Sequence, residues 1–399
     1  MCCREVRKIL IYIVEEILPE LFGCFDLIMA MLPVRQFKGI IENLFQNQDD
    51  YIAMRAISTL EEKIIGHQND PEYCYELLPL VESLVQLLSL NDVAPTIIVS
   101  TLTCCGEISR AIGMSHREDL VKFVPFIIGQ TGLLHTETDV VSSAMMTLSY
   151  FIRSLGPRII PFFPQFMPQI VKLLQEDKSS IQDPLKFKSA YLTISVISQV
   201  LPQFMSGHAS NIIKIAINPN IYNSKKNLTT VQNCLETMSE NIAPRHLLPA
   251  IFSSVDDLFS AGKSSMTITF NFLTRILKKI SKSEILEFRS DITKFFVEAF
   301  DLRSKISSDS VSAADILDLE NDLIISFYNL VLKLNDEHFK PIFLKLVDWA
   351  TLSISFDDLN AKDNTKRQIT FYHIINEMYN RLQVLNFIVF TIGIISSLL

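Results

Sequence analysis

Apolar residues recur at steps of three and four along many segments of the chain, the spacing that places side chains on one face of an α-helix. Three segments show this pattern clearly. The residues on their apolar faces are Val141, Ala144, Met145, Leu148, Ile152 and Leu155; Ile98, Leu102, Cys105, Ile108 and Ile112; and Phe187, Ala190, Tyr191, Ile194, Ile197 and Leu201. Each segment is therefore predicted to be an amphipathic helix with one buried stripe.

These helices belong to a unit that recurs along residues 1–250. A helix ends on an apolar and a small residue, a polar stretch follows, and an apolar helix with an internal proline comes next. Gly66 and Gly113 lie 47 residues apart, and Pro79 and Pro125 lie 46 apart. Periods of about 40–47 residues are typical of HEAT and armadillo repeats. Because one helical pair cannot bury its stripe alone, neighbouring pairs must stack. The sequence predicts an all-α fold, an α-α superhelix of the HEAT/armadillo type.

The ends of the repeated helices carry residues with capping preferences. Asp50 and Asp139 are predicted to be N-cap residues, whose side chains accept hydrogen bonds from the first backbone N–H groups of a helix. Gly66, Gly113 and Gly156 each follow the last apolar residue of a helix, where glycine suits a left-handed C-cap. The prolines within the apolar helices are expected to bend them.

The period blurs beyond residue 250, although helical patterns continue. Residues 264–280, 285–300 and 316–334 are each predicted to form an amphipathic helix. Residues 304–312 are rich in serine and charge, and residues 357–367 are rich in charge alone. Both of these segments are predicted to be exposed loops.

Composition narrows the classes of function. The formal net charge of −8 gives no electrostatic case for DNA or RNA as the main ligand, because phosphate binding usually leaves a basic footprint. The seven cysteines include no C-x-x-C pair, which favours reduced, buried thiols in an intracellular protein. An apolar run over residues 9–14 is ended by Glu15 and Glu16, so no signal peptide is predicted.

Several fragments resemble catalytic or ligand-binding motifs without completing them. Residues 261–264 match the end of a P-loop, but the position of its first glycine is occupied by Asp257. Residues 113–116 match part of a nucleophile elbow, but Arg117 replaces the required glycine. The histidines lack metal-ligand spacing. We therefore predict no catalytic residues, cofactor, metal site or small-molecule substrate, and we interpret the short lysine clusters near residues 225 and 278 as solvated helix ends.

One segment near the C-terminus is more distinctive than the repeats. Residues 333–350 contain the only tryptophan, and a cluster of arginine and aromatic residues follows a polar loop at 367–372. Asn335 or Asp336 is expected to cap a helix in which Pro341 occupies an early turn. We call the following positions the C-terminal signature: Lys333, Asn335, Phe339, Pro341, Phe343, Trp349, Arg367 and Phe371.

The C-terminal signature resembles that of the large HEAT-repeat protein of the small-subunit processome, a nucleolar, small-nucleolar-RNA-associated family. The resemblance implies a non-catalytic scaffold that supports processing of pre-ribosomal RNA toward the small-subunit rRNA, and that takes part in ribosomal DNA transcription. It implies localisation in the nucleus and nucleolus, other processome proteins as partners, and some contact with pre-rRNA. It implies no catalytic residue. The signature is expected to act either in packing or in binding a partner.

The resemblance also suggests how the chain is divided. Residues 1–330 are expected to form HEAT-like helical repeats, residues 331–382 the signature helices, and residues 383–399 a divergent apolar tail. The tail carries no charge and just reaches the length of a membrane-spanning helix. We favour a packed final helix or an aberrant chain end over a membrane anchor. The rival interpretation of the whole chain is a HEAT-repeat nuclear transport receptor or a generic protein–protein adaptor.

Overall fold

The computed structural model describes residues 18–45, 50–90, 93–176, 184–218, 225–306, 312–351 and 361–382, and throughout these ranges every regular element is helical. The predicted all-α fold is therefore confirmed. The chain separates into two units, Met1–Val200 and Leu201–Leu399. The apolar run at 9–14 and the tail at 383–399 lie outside the described residues. Within the described ranges, no helix combines the length and apolarity needed to cross a membrane.

The first unit contains ten described α-helices, joined in places by short 3-10 turns. They are α1 (Leu18–Met31), α2 (Val34–Phe45), α3 (Asp50–Gly66), α4 (Pro71–Leu90), α5 (Pro95–Ile112), α6 (Arg117–Leu120), α7 (Val124–Ile128), α8 (Thr138–Leu155), α9 (Phe163–Glu176) and α10 (Pro184–Val200). The second helices of successive pairs pack in a row, α3 on α5, α5 on α8, and α8 on α10. This row is the stacking that the repeat period predicts.

The predicted stripe of α8 is fully removed from water. The exposed fraction of each of its six side chains, the first at Val141 and the last at Leu155, is at most 2%. Burying a side chain of this size contributes about 1.5–3 kcal/mol. The stripe of α5 is buried in the same way, with Leu102, Cys105, Ile108 and Ile112 all inaccessible. The stacking of neighbouring repeats therefore rests on the apolar faces that the sequence pattern identifies.

Hydroxyl side chains connect the stacked helices within this buried row. Thr147 donates its Oγ1 hydrogen to the carbonyl oxygen of Leu102 at 2.8 Å, and Ser154 donates to the carbonyl of Ser109 at 2.8 Å. Thr193 Oγ1 lies 3.0 Å from the carbonyl oxygen of Met145 in α8. Buried hydroxyls are costly unless they form hydrogen bonds, and these bonds satisfy them across the helix interface.

The second unit contains eleven described α-helices. They are α11 (Ser206–Ile217), α12 (Lys225–Asn241), α13 (Pro244–Phe252), α14 (Val255–Ser260), α15 (Lys263–Lys279), α16 (Lys282–Glu287), α17 (Arg289–Phe300), α18 (Leu302–Lys305), α19 (Ala313–Val331), α20 (Asp336–Thr351) and α21 (Ala361–Leu382). Here α12, α15, α19 and α21 pack in succession, and α17 packs on α20. Ser326 of α19 donates a hydrogen bond to the carbonyl of Phe270 in α15 at 3.0 Å. The contact pattern of the first unit thus continues where the sequence period fades.

The predicted helices of this unit are present with shifted limits. The helix expected at 264–280 is observed as α15, and the helix expected at 316–334 as α19. The segment expected as one helix at 285–300 is divided at Phe288 into α16 and α17. The loop predicted at 357–367 is wrong from residue 361 onward, because α21 begins at Ala361. A charge-rich segment does not by itself distinguish a loop from a helix, because polar side chains are stable in both.

The serine-rich loop predicted at 304–312 is also partly wrong. Ser304 and Lys305 lie in the short helix α18, and Ser312 caps α19 by accepting a hydrogen bond from the backbone N–H of Asp315 at 3.1 Å. Residues 307–311 lie outside the described residues.

The two predicted N-caps are wrong. Asp139 lies inside the first turn of α8, whose N-cap is Glu137 without a side-chain hydrogen bond, and Asp50 is the first residue of α3. Gly156 has a positive φ of 58° but a ψ of −128°, so it does not adopt the predicted left-handed cap, and Gly113 has a right-handed φ of −61°. Proline does lie inside the helices at Pro79, as the repeat pattern predicts.

Gly113 is required for a close approach rather than for its φ angle. A Cβ atom there would lie 2.3 Å from the Ser109 carbonyl oxygen and 2.3 Å from the Ser154 Cβ. Ser154 is the residue whose hydroxyl donates to the Ser109 carbonyl. Gly113 therefore permits this hydrogen bond between α8 and the end of α5.

We expect Gly113→Ala to lower the free energy of unfolding by about 1–3 kcal/mol, the usual cost of overpacking. Gly66→Ala is the matched control, because nothing lies within 4 Å of its Cβ position; it should leave stability unchanged or raise it by up to about 1 kcal/mol. Urea unfolding followed by far-UV circular dichroism measures both. Equal effects of the two substitutions would contradict the close-approach explanation.

Candidate functional site

Lys333 and Asn335 organise the junction between α19 and α20. The Lys333 ammonium donates hydrogen bonds to the carbonyl oxygens of Lys278 and Ile280, both at 2.6 Å, at the C-terminal end of α15. Burial lowers the pKa of Lys333. The Asn335 side-chain oxygen accepts a hydrogen bond from the backbone N–H of His338 at 3.0 Å, so the predicted cap of α20 is present. Both side chains are engaged within the protein.

The aromatic signature residues form part of a continuous cluster. Phe339 and Phe343 are 6% and 3% exposed, and their ring centroids lie 5.7 Å apart. Phe339 also lies 6.5 Å from Phe327 of α19, and Phe343 lies 6.2 Å from Phe371 of α21. Aromatic rings at such separations attract each other in tilted and edge-to-face arrangements. Pro341 lies within α20 on its exposed side, between the two buried phenylalanines.

Trp349 and Arg367 meet at a carboxylate that sequence reasoning missed. The indole N–H of Trp349 donates to Asp301 Oδ1 at 3.1 Å. Arg367 donates through Nε to the same oxygen at 2.6 Å and through Nη2 to Oδ2 at 3.0 Å. The guanidinium carbon lies 5.9 Å from the Trp349 ring centroid. Paired Arg–carboxylate bonds are strong and directional, so this arrangement fixes α21 against the end of α17.

A second carboxylate, Glu320 of α19, is completely buried and was also missed. Arg303 donates to its two oxygens at 2.6 Å and 2.5 Å. Thr370 donates to Oε1 at 2.8 Å, and His373 Nδ1 lies 3.1 Å from Oε2. A buried carboxylate is tolerated only where charge and hydrogen bonds compensate for lost hydration, as they do here. Glu320 therefore joins α18, α19 and α21.

The arrangement is suited to packing rather than to chemistry. The donors around Asp301 and Glu320 point at these carboxylates, so the acids are engaged in structural hydrogen bonds. Within the described ranges, no group of three or more histidine, cysteine or acidic residues is placed to hold a metal ion. The structure brings Trp349 and Arg367 together, and Phe343 with Phe371, but places Lys333 and Asn335 apart at the preceding junction. Neither Asp301 nor Glu320 belongs to a recognisable sequence motif. The sequence hints at such carboxylates only indirectly, because a buried tryptophan or arginine needs a hydrogen-bond acceptor nearby.

Two surface features accompany this network in the second unit. A groove of about 570 Å³ between α17 and α20 is lined by side chains that include Lys294, Lys345 and Trp349. A second groove, of about 520 Å³, lies between α12 and α15 and is lined mostly by polar side chains. These open surfaces, the first of which includes Trp349 and Arg367 of the signature in its lining, offer area for contact with a partner.

We expect Asp301→Ala to lower the free energy of unfolding by about 2–4 kcal/mol, between the costs of breaking exposed and buried ion pairs. The fluorescence of Trp349 is a direct probe, because it is the only tryptophan and its indole bonds to Asp301. Asp348→Ala is the control, since this exposed carboxylate neighbours Trp349 in sequence; it should change stability by less than about 0.5 kcal/mol. A comparable loss in both variants would argue against the role of Asp301.

Comparison with known proteins places the signature within a domain. Residues 284–397 match the BP28CT (NUC211) domain. HEAT repeat-containing protein 1 homolog of Dictyostelium discoideum is 26% identical over 363 residues, covering 88% of this chain and 16% of that protein. HEAT repeat-containing protein 1 of Homo sapiens is 23% identical, covering 95% of this chain and 18% of its own length. U3 small nucleolar RNA-associated protein 10 of Emericella nidulans is 24% identical, covering 89% of this chain and 20% of that protein.

Karyopherins are among the solved structures that are similar to this chain. Kap121p superposes with a TM-score of 0.42 at 14% identity, covering 90% of this chain and 36% of its own. Kap95p, in a complex with RanGDP, superposes with a TM-score of 0.44 at 13% identity, covering 90% of this chain and 46% of its own. Superpositions this loose carry no information on function.

The chain spans about a fifth of the length of the curated relatives it matches. The domain match includes the positions of the C-terminal signature, and the relatives extend the similarity across most of the first unit as well. The resemblance inferred from the sequence is thereby confirmed: residues 284–397 match the BP28CT (NUC211) domain, and the chain is similar to the large proteins named HEAT repeat-containing protein 1 and U3 small nucleolar RNA-associated protein 10.

Proposed function

We propose that the chain is a non-catalytic scaffold in ribosome biogenesis, which supports pre-rRNA processing toward the small-subunit rRNA within a nucleolar ribonucleoprotein assembly. The observation that carries this proposal is the BP28CT (NUC211) match over residues 284–397, together with relatives named for association with U3 small nucleolar RNA. Neither the matched domain nor the relatives' names specify an enzyme. Its partners would be other processome proteins, with pre-rRNA contact and a role in ribosomal DNA transcription as further parts of the proposal.

The way in which such a scaffold would work follows from the packing. Repeats contact mainly their neighbours, so a row of them offers an extended surface on which several weak contacts add up. In this proposal residues 1–330 supply most of that surface. The signature at 331–382 holds the last described helices together from inside, through Asp301 and Glu320, and contributes to binding by keeping the outer faces of α20 and α21 in place.

Affinity purification of the tagged chain from nuclei of its own source cells tests the proposal. We expect processome proteins, U3 small nucleolar RNA and small-subunit pre-rRNA to be enriched at least about tenfold over a tag-only control. Asp301→Ala should lose this enrichment, because α21 is no longer held. Mass spectrometry and quantitative RNA measurement give the two readouts.

The rival interpretation predicts a different set of proteins. Recovery of nuclear import or export factors, without processome proteins or small-subunit pre-rRNA, would identify a transport receptor or adaptor and overturn the scaffold proposal.

A further inference from the structure

The first described helix, α1, packs as the second helix of a pair whose first helix is not among the described residues. Each later second helix of this row packs on a helix that precedes it in the chain, as α3 packs on α2 and α5 packs on α4. Helix α1 has the same place in the row, because it packs on α3 and its last carbonyl groups accept hydrogen bonds from Lys63. The helix that pairs with α1 is therefore to be sought outside the described residues.

One face of α1 is apolar and exposed. Leu21 and Ile28 lie two turns apart on the same side of the helix, and each is 59% exposed. Two further large apolar side chains of α1, Leu27 and Met31, are exposed as well. Asp26, one of the two charged residues of α1, is engaged in an ion pair with an arginine of α3. A helix that is apolar on several sides is normally buried on several sides, so this face is suited to packing against another apolar helix.

The sequence before α1 has the pattern that such a partner requires. Apolar residues recur over positions 6–17 at steps that place them on one side of a helix. They are Val6, Ile9, Leu10, Ile13, Val14 and Ile17. The charged residues of the segment fall outside this stripe, and they are Arg4, Glu5, Arg7, Lys8, Glu15 and Glu16. Residues 6–17 therefore carry one apolar face, which can be buried, and one charged face, which favours water.

Pro19 separates this segment from α1. It is the second residue of α1, where proline is tolerated. Its ring disfavours helical backbone at the preceding residue, and it has no N–H to bond to the turn before, so one continuous helix across this point is disfavoured. A change of chain direction here lets the two apolar stripes face each other. Residues 6–17 correspond to about 18 Å of helix, which exceeds the distance of about 10 Å along the axis from Leu21 to Ile28.

We propose that residues 6–17 pack on the face of α1 that carries Leu21 and Ile28, and that they complete the first helical pair of the row. The apolar stripe of the segment would cover this face, and its charged residues would face solvent. The proposal concerns a contact within the first unit and does not depend on the scaffold function.

A second copy of the chain fits this face less well. A stable interface between separate chains uses about 20–30 residues of each partner, whereas α1 exposes four large apolar side chains. A segment that is attached to α1 needs a smaller contact, because attachment gives it a high effective concentration at this face.

Hydrogen–deuterium exchange of the full chain tests this inference. Ile13→Glu places a charge in the middle of the stripe, and we expect the backbone amides of α1 to exchange about tenfold faster or more. Ile11→Glu is the matched control, because it introduces the same charge into the same segment outside the stripe. It should leave the exchange of α1 unchanged.

A substitution on α1 probes the same contact from its other side. Ile28→Glu should accelerate the exchange of backbone amides in residues 6–14 by about tenfold or more. The amides of α5 and α8 should keep the protection they have in the wild-type chain, which shows that the rest of the row remains folded.

The proposal is overturned if Ile13→Glu and Ile11→Glu have equal effects on the exchange of α1, including no effect, or if Ile28→Glu leaves residues 6–14 unchanged. It is also overturned if sedimentation velocity shows a wild-type dimer that Ile28→Glu dissociates and Ile13→Glu does not, because a second copy would then cover α1. These measurements use the purified chain alone, so their outcome is separable from the co-purification that tests the scaffold proposal.

Discussion

The fold depends on each second helix burying its apolar stripe against the next, while side chains of the following repeat satisfy the carbonyl groups of the previous helix. The last carbonyls of a helix have no partner within it. Lys63 donates to the carbonyls of Met29, Ala30 and Leu32 at 3.1, 2.7 and 3.3 Å. Ser154 and Lys333 do the same for the ends of α5 and α15. A positive charge there also complements the negative end of the helix dipole. The same contact between neighbouring helices therefore buries apolar side chains and caps a helix end, and it occurs in both units.

The last described repeat is stabilised by a second kind of interaction, in which two carboxylates accept hydrogen bonds from side chains of several helices. Asp301 and Glu320 receive bonds from Arg367 and Thr370 of α21, and Glu320 also from Arg303 of α18. An apolar stripe alone tolerates sliding and rotation of a helix, whereas bidentate Arg–carboxylate bonds fix its register. The distinctive residues of the sequence are therefore explained by internal geometry. This explanation leaves the open grooves of the second unit as the surfaces on which partner binding is to be sought.

Sequence reasoning was successful where the signal is local. The stripe of α8, the proline inside α4 and the Asn335 cap all follow from spacings of a few residues. Gly113 was correctly marked as a helix end but given the wrong cause, since the space it leaves is needed by a serine 41 positions later in the chain. The partners of Asp301 and Glu320 lie up to 66 and 53 residues away. Periodicity identifies which faces are buried, but not which buried donor meets which acceptor.

The central claim is that internal carboxylates hold α21 in place. Hydrogen–deuterium exchange of Glu320→Ala tests it most directly, with the exposed Glu337→Ala as the control. Loss of a fully buried, charge-paired group costs about 3–5 kcal/mol. The account predicts that backbone amides of α21 and α19 lose protection by about a hundredfold or more, while α5 and α8 and the control stay unchanged. Protection of α21 equal to that of the wild-type chain would contradict it.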